Sequence, residues 1–546
     1  MKTTIAAVLL SLCLPSVTHA HFLWLLTESA GDAPQVQVFF GESAEPDDPD
    51  LLDRVSSAKV WSVGFRGEPQ TLALKKIDES LVAELTPQTA QTPIVLRHTW
   101  GVFTRGESSF LLNYYAKTYP FALPGTWRAI DDAERLPLEI VPERDGRSTV
   151  LRVEWQGKPV AGCQVVIVGP GIEDKREGTT DEAGGFRTTL PESGVYSIRA
   201  RMIEEKPGEL DETKYSARRH YSTLTLRHVP SQITSEKHSL PELPRGITSF
   251  GGAVIGDTAY AYGGNYGSAH EYSQEGQSGD LWSLDLSTAD GEPGQWRKLS
   301  TGPKRQGLAL VAHNGLLYRV GGFMAKNHEG EDNDLQSQSD VARFDPRTGN
   351  WTVLPPLPEP RSSHDAAIVG DVLYVAGGWN MPGAGKETVW HNTAWALDLS
   401  VSDSELKWQP IAKPPFQRRA LALAAHDEKL YCIGGMRQQG GPTTRCDVYD
   451  PATDSWSAAP SLLGTNMDGF GSSAFACDGS LYVSTISGSV QRLSKDEARW
   501  NFVGQLDHPR FFHRLLPWRN EKLLAIGGGS MSVGKVTAVD LISWAK

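Results

Sequence analysis

Leu317-Tyr318-Arg319-Val320-Gly321-Gly322, Leu373-Tyr374-Val375-Ala376-Gly377-Gly378 and Leu430-Tyr431-Cys432-Ile433-Gly434-Gly435 are three copies of one pattern. Ala259-Tyr260-Ala261-Tyr262-Gly263-Gly264 precedes them and Leu523-Leu524-Ala525-Ile526-Gly527-Gly528 closes the series, while Leu481-Tyr482-Val483-Ser484 is a copy without its glycine pair. The early copies recur about every 57 residues, the self-similarity expected of an array of supersecondary units. After each pattern a strand ends on Asp285, Asp345, Asp398, Asp450 or Asp540, with Ser494 in the degenerate copy. A tryptophan follows: Trp296, Trp351, Trp408, Trp456, Trp500 and Trp544. Arg245, Arg305, Arg361, Arg418 and Arg510 open successive units, and Asn466 stands at that place in the fifth.

These residues resemble the kelch repeat, over Arg245 to Lys546. The resemblance implies a β-propeller, and physical reasoning agrees with it. A four-stranded blade has two apolar faces that it cannot bury alone, and radial stacking on neighbours covers both. Paired glycines allow a bend that a Cβ would block. Tyr and Trp fill the wedge between blades and keep a polar tip for a partner. The first copy begins with its first two strands and the last ends with its third and fourth, so six whole blades are expected.

Strands one and two of a blade are antiparallel, so the loop entering the first and the loop leaving the second share one end of the propeller. Long leaving loops are expected at Asn265–Gly279, Phe323–Ser339, Trp379–Thr393 and Met436–Thr444. Loops on a rigid scaffold are the usual place for binding. Arg305, Arg361, Arg418 and Arg510 on the entering loops form a candidate ring of guanidinium forks for a carboxylate or sulfate, with His364 and Trp379 beside it. The competing reading is that these arginines, some with His three residues on (Arg361/His364, Arg510/His513), belong to the repeat itself.

Ahead of the repeats the chain reads as strands: Val36 to Phe40 and Val60 to Val63, then Leu151 to Trp155, Gln164 to Val168 and Val195 to Arg201. A β-sandwich part over 21–137 and an immunoglobulin-like part over 138–230 are expected, with 231–244 as a polar linker to the propeller at 245–546. Gly157 to Gly162 followed by Thr180-Asp181-Glu182-Ala183-Gly184-Gly185-Phe186 resembles the hairpin-and-turn pattern of carboxypeptidase-regulatory domains, where Asp and Gly serve turns. The whole is therefore expected to be all-β.

Lys2, the apolar run Ile5 to Pro15 and Thr18-His19-Ala20 read as a signal peptide over residues 1–20, cleaved before His21. Export to the periplasm or the medium is the expectation. No other apolar run approaches ~18 residues, so no transmembrane segment is expected in the mature chain. A net charge of -12 over 546 residues, with no basic tract, argues against nucleic acid as a partner. Cleavage would leave Cys163, Cys432, Cys446 and Cys477, too few for a disulfide framework. Cys432 and Cys446 fall on neighbouring strands of one blade, as a disulfide or as two thiols.

His21-Phe22-Leu23-Trp24-Leu25, the acidic stretch from Glu42 to Asp53, Thr104-Arg105-Gly106 and Arg219-His220-Tyr221 together resemble exported domains associated with bacterial nickel uptake. An N-terminal histidine is similar also to those of periplasmic copper-resistance proteins and lytic polysaccharide monooxygenases. A free α-amine and its own imidazole can chelate one metal, and a second histidine completes a set suited to Ni(II) or Cu(II). His220 is the first candidate for that ligand and His98 the second, giving one Ni or Cu ion as the expected cofactor. Three function classes follow: a metal-associated exported binding protein whose propeller recognises a protein or glycan, a propeller enzyme acting on an acidic sugar in the manner of the sialic-acid mutarotases, and a structural envelope component. The first is the expected one, since kelch repeats specify a platform and not a reaction.

Overall fold

The structure, a computed structural model, describes residues 21–28, 34–64, 68–236, 240–287 and 294–544. The leader read in residues 1–20 and its cleavage lie outside them. The described chain is all-β, and no helix among the described residues is long and apolar enough to cross a membrane.

Six four-stranded antiparallel sheets form the propeller. Gly251–Ile255, Thr258–Tyr262, Asp280–Asp285 and Arg297–Thr301 make the first blade, from the axis outward. The second to fifth follow the same order, and their innermost strands begin at Ala309, Asp365, Ala422 and Ser473. The sixth differs in where its outer strand originates. Arg514–Trp518, Lys522–Ile526 and Val539–Trp544 supply three strands, and Ile233–Glu236 supplies the fourth, pairing in register from Ile233↔Trp544 to Glu236↔Leu541. The stretch expected as a linker therefore carries the strand that closes the ring. A polar composition concealed it, because an outer strand needs only one apolar anchor, here the buried Ile233.

The repeat residues act as their chemistry predicts. Both glycines of each intact pair have positive φ, as at Gly263 (71°) and Gly264 (94°). A Cβ on Gly263 would also lie 2.4 Å from the carbonyl oxygen of Arg305 in the next entering loop. The tryptophans stitch each blade to its predecessor: Trp408 Nε1 donates to the Pro355 carbonyl at 3.0 Å, Trp456 to Ala412 at 2.8 Å and Trp500 to Pro460 at 2.9 Å. Cys432 and Cys446 are buried free thiols. In register Cys432 opposes Asp447 and Cys446 opposes Ile433, so the two face opposite sides of the blade.

The N-terminal half is layered about one eight-stranded sheet. Alternation along its strands feeds two cores: Ile94, Leu96, Tyr114 and Ala116 face one, Val95 and Tyr115 the other. Phe22–Glu28 and Gln35–Gly41 belong to the sheet that covers the first core, while Leu138–Asp145 and Ser148–Trp155 cover the second. Ser108–Thr118 pairs in parallel with Ala217–His228, so the parts expected at 21–137 and 138–230 share one continuous sheet. The predicted turn is there too: Asp181 Oδ1 accepts from the Ala183 and Gly185 amides at 2.9 and 2.8 Å.

Candidate functional site

One residue from each entering loop meets its equivalents around the propeller axis. The amide of Ser249 donates to Phe512 O, Gly307 to Ser249 O, Ser363 to Gly307 O, Ala420 to Ser363 O, Gly471 to Ala420 O and Phe512 to Gly471 O, at 2.7–3.2 Å. These bonds close a ring of six peptides. All six residues have φ between 51° and 61°, a conformation that costs Ser, Ala and Phe roughly 1–3 kcal/mol each, which the closed ring offsets.

A cavity opens above this ring on the loop side. Tyr272, Phe323, Trp379 and Met381 from the leaving loops form part of its wall, and His364, His513 and Arg514 lie deeper. Arg419 is the cation of the wall. Its guanidinium lies 4.0 Å from the Trp379 ring and 5.6 Å from Trp390, and Nη2 reaches Met436 Sδ at 3.1 Å. Nε is buried with no hydrogen-bond partner among the described residues. Burial lowers the Arg419 pKa, and neighbouring Tyr272 opposes that shift; burial in turn raises the Tyr272 phenol.

Arg514 closes the floor. It donates to the carbonyls of Phe250 and Leu308 at 3.0 and 3.1 Å and pairs with Asp365 at 3.1 Å. Arg514 begins the inner strand of the sixth blade and Asp365 that of the third, so the pair spans the axis between opposite blades. Burial, reinforced by Arg361, His391 and Arg514, holds His364 well below its ordinary pKa; burial with Arg510 and Arg514 does the same to His513. Both imidazoles are neutral at pH 7. His513 Nε2 meets Ser484 Oγ at 2.5 Å.

Of the six residues expected to meet a ligand, His364 and Trp379 line the cavity and the four arginines do not. Arg305, Arg361, Arg418 and Arg510 are at most 6% exposed. Arg418 Nη1 donates to the carbonyls of Gly434 and Arg445 at 2.9 and 2.6 Å, and Nη2 pairs with Asp447. Arg361 binds the carbonyls of Gly377 and Thr393 with Glu359, and Arg510 those of Gly527 and Ala538 with Asp540. Arg305 pairs with Asp340 at 2.8 Å. In Arg361, Arg418 and Arg510 the fork satisfies carbonyls that the glycine bend takes out of the ladder. The residues missed, Arg419 and Arg514, had a signal: Arg419 puts a charge where other blades have Gln306, Ser362 and Phe511, and Arg514 and its partner Asp365 are the only charges at an inner-strand start that is otherwise Gly251, Ala309, Ala422 and Ser473.

The expected His21–His220 chelate does not assemble. His220 faces the second core, with Nδ1 3.1 Å from Tyr115 Oη and its ring 4.5 Å from Trp155. Its neighbour Tyr221 faces Phe22 at 5.1 Å, so the imidazole stands across the sheet from the first strand. His21 instead lies against Phe40 at 5.5 Å and Asp47 at 3.5 Å. His98 is buried beside Trp100, and the Phe40 and Trp100 rings stack at 5.6 Å between it and His21. Strand alternation is the cause, since the motif reads the same whichever face His220 takes. With His220 turned to the second core and His21 against Phe40, the histidines of the expected Ni or Cu set are not brought together, and among the described residues no group of three His, Cys, Asp or Glu is placed to hold a metal instead.

Residues 211–378 and 330–488 match the KLHDC2/KLHL20/DRC7 Kelch-repeats domain, and residues 18–204 match a domain of unknown function, DUF4198. The chain is similar to Kelch-like protein 35 of Mus musculus, 27% identical over 241 residues, which span 43% of this chain but only 34% of that protein. It is also similar to N-acetylneuraminate epimerase of Haemophilus influenzae, 26% identical over 369 residues covering 57% of this chain and 93% of that one. A solved structure titled "Structure of YjhT" is 21% identical with a TM-score of 0.45, over 56% of this chain and 97% of that chain.

Proposed function

The chain belongs to the kelch-repeat proteins, and on that premise we propose that it is an exported binding protein whose axial cavity takes a small carboxylated sugar. The observation that carries this reading is Arg419: a half-buried guanidinium packed on Trp379, its Nε buried without a hydrogen-bond partner and with no ion pair among the described residues, on the wall of a cavity. A partly desolvated cation of this kind attracts a single negative charge, and the flanking Trp379 and Tyr272 rings suit the apolar face of a sugar. Arg514 adds little net charge because Asp365 neutralises it. N-acetylneuraminate, in the name of one relative, carries one carboxylate and is the first ligand to test.

Calorimetric titration of the full chain with N-acetylneuraminate and with neutral N-acetylglucosamine tests the proposal. Binding of the first alone, weakened at least about tenfold in Arg419→Met, is expected for loss of a charge-assisted contact. Equal affinity for both sugars, or an unchanged affinity in Arg419→Met, rejects it.

An enzymatic reading rests on the 93% coverage of the epimerase. Acid–base chemistry on the sugar needs a group to take and return a proton, and neutral His364 and His513 are the available acceptors, since no Asp or Glu among the described residues lines the cavity. Accelerated anomer exchange followed by NMR, lost in His364→Gln with binding retained, distinguishes it from binding alone.

A further inference from the structure

We infer that the degenerate fifth blade is the seat of the N-terminal sandwich, which it holds on the same end of the propeller as the axial cavity. The inference does not depend on which ligand the cavity takes. Three observations converge on it.

The fifth blade has lost its protruding loop. Its second and third strands, Ser480–Ser484 and Ser489–Leu493, are joined by four residues, whereas the connections in the first four blades are long. The glycine pair and the arginine are gone with it. Asp468 closes the gap instead, accepting from the Thr465 amide at 2.9 Å and from Thr485 Oγ1 at 2.8 Å, while Gln491 bonds both backbone groups of Leu463 at 2.9 Å. This sector is low and flat.

A turn of the sandwich fills the space. A Cβ on Gly125 would lie 1.8 Å from the carbonyl oxygen of Ser487 and 3.0 Å from Gln505 Nε2, and one on Gly464 would lie 3.1 Å from Leu123 Cδ1. Gly125 does not have the positive φ that would by itself call for glycine. The approach of the propeller backbone is thus what excludes a side chain there. Gly464 lies in an entering loop and Ser487 in a leaving loop, so the contact is on the cavity end.

The covalent connection arrives at the same blade. The Gln232 amide donates to Val503 O at 2.7 Å, and a Cβ on Gly504 would lie 2.2 Å from Ile233 Cγ1. The chain leaves the sandwich, runs along the outer strand of the fifth blade and closes the sixth. Sandwich and propeller are therefore one body, and a ligand reaches the cavity from the other five sectors.

Solution scattering and hydrogen exchange on the full chain test this. The wild-type scattering profile should fit the docked arrangement. Gly125→Leu should expand the particle and speed exchange in residues 121–127 and 485–488, on the order of tenfold, with the inner strands of the first four blades unchanged. A wild-type profile that requires separated halves overturns the inference. So does a Gly125→Leu variant with native circular dichroism and unchanged profile and exchange. If Gly125→Leu fails to fold, Gly125→Ala, whose single methyl meets the same carbonyl, is read by the same criteria.

Discussion

The fourth and fifth blades solve one geometric problem with different chemistry. In the fourth, Gly434 and Gly435 bend the chain and Arg418 bridges the opened carbonyls to a fully buried Asp447. In the fifth, Thr485 and Ile486 replace the glycines, and a network of Asp468, Thr485 and Gln491 replaces the arginine. The fourth blade completes itself; the fifth leans on the N-terminal half through Ser487 and Val503. What repeats holds the scaffold, and what departs from the repeat meets something else: Arg419 a cavity, the fifth blade another domain.

The severest test of that contrast removes the N-terminal half. A fragment of residues 245–546 lacks Ile233–Glu236, so its sixth blade has three strands and an open ring. It should melt without cooperativity, losing exchange protection in the fifth and sixth blades before the fourth, whereas 231–546 should melt cooperatively. Equal melting of the two fragments would remove the closing role of that strand.

Adjacent arginines sharpen the contrast next. Arg418→Met strands a buried carboxylate that keeps only Arg445, a loss of ~3–5 kcal/mol in urea unfolding. Arg419→Met, which loses cation–π contacts but strands no buried carboxylate, should cost no more than about 1 kcal/mol and act on binding instead. A reversal of the two effects would reverse the assignment of scaffold and site.

Acid should loosen the sandwich before the fourth blade. Burial, with Arg144 adding to it, lowers His228 from 6.5 to about 4. The unfolded chain then binds a proton that the folded chain does not between those values. Stability is full above pH 6.5 and falls as pH drops toward 4, by up to about 3 kcal/mol from this residue. Melts recorded from pH 7 to 4.5 should show the decline, and His228→Phe should reduce it by this residue's share, leaving the part that His220 and the other buried histidines contribute.

Smaller effects follow within the blades. Asp468→Ala should cost about 2 kcal/mol for its buried hydrogen bonds, read as a lower urea midpoint. In the fourth blade, burial pushes the Cys432 and Cys446 thiols up to about 12, so neither should alkylate in the native chain at pH 8 while both do in denaturant. Labelling of the native chain by mass spectrometry would show that the fourth blade opens.

The propeller was legible because a repeat states its structure several times, so one register, Leu-Tyr-x-x-Gly-Gly with Asp, Trp and Arg, located every blade. The same repetition hid the site. Arg305, Arg361, Arg418 and Arg510 looked like a binding ring because they recur, and they recur because each blade has the same carbonyls to satisfy. Arg419 and Arg514 occur once each, and only departure from the pattern marks them.

Sequence alone determined the strand periodicity, the six inner strands and the glycine bends, since these follow from local sterics and alternation. Tertiary structure decided which faces meet. Whether His220 turns toward His21 or away depends on the register of Ala217–His228 against Ser108–Thr118, a pairing of strands about a hundred residues apart. Whether Ile233–Glu236 is linker or strand depends on Val539–Trp544 arriving beside it, some three hundred residues later. No local preference encodes those meetings, because each is stabilised only when both partners are already in place.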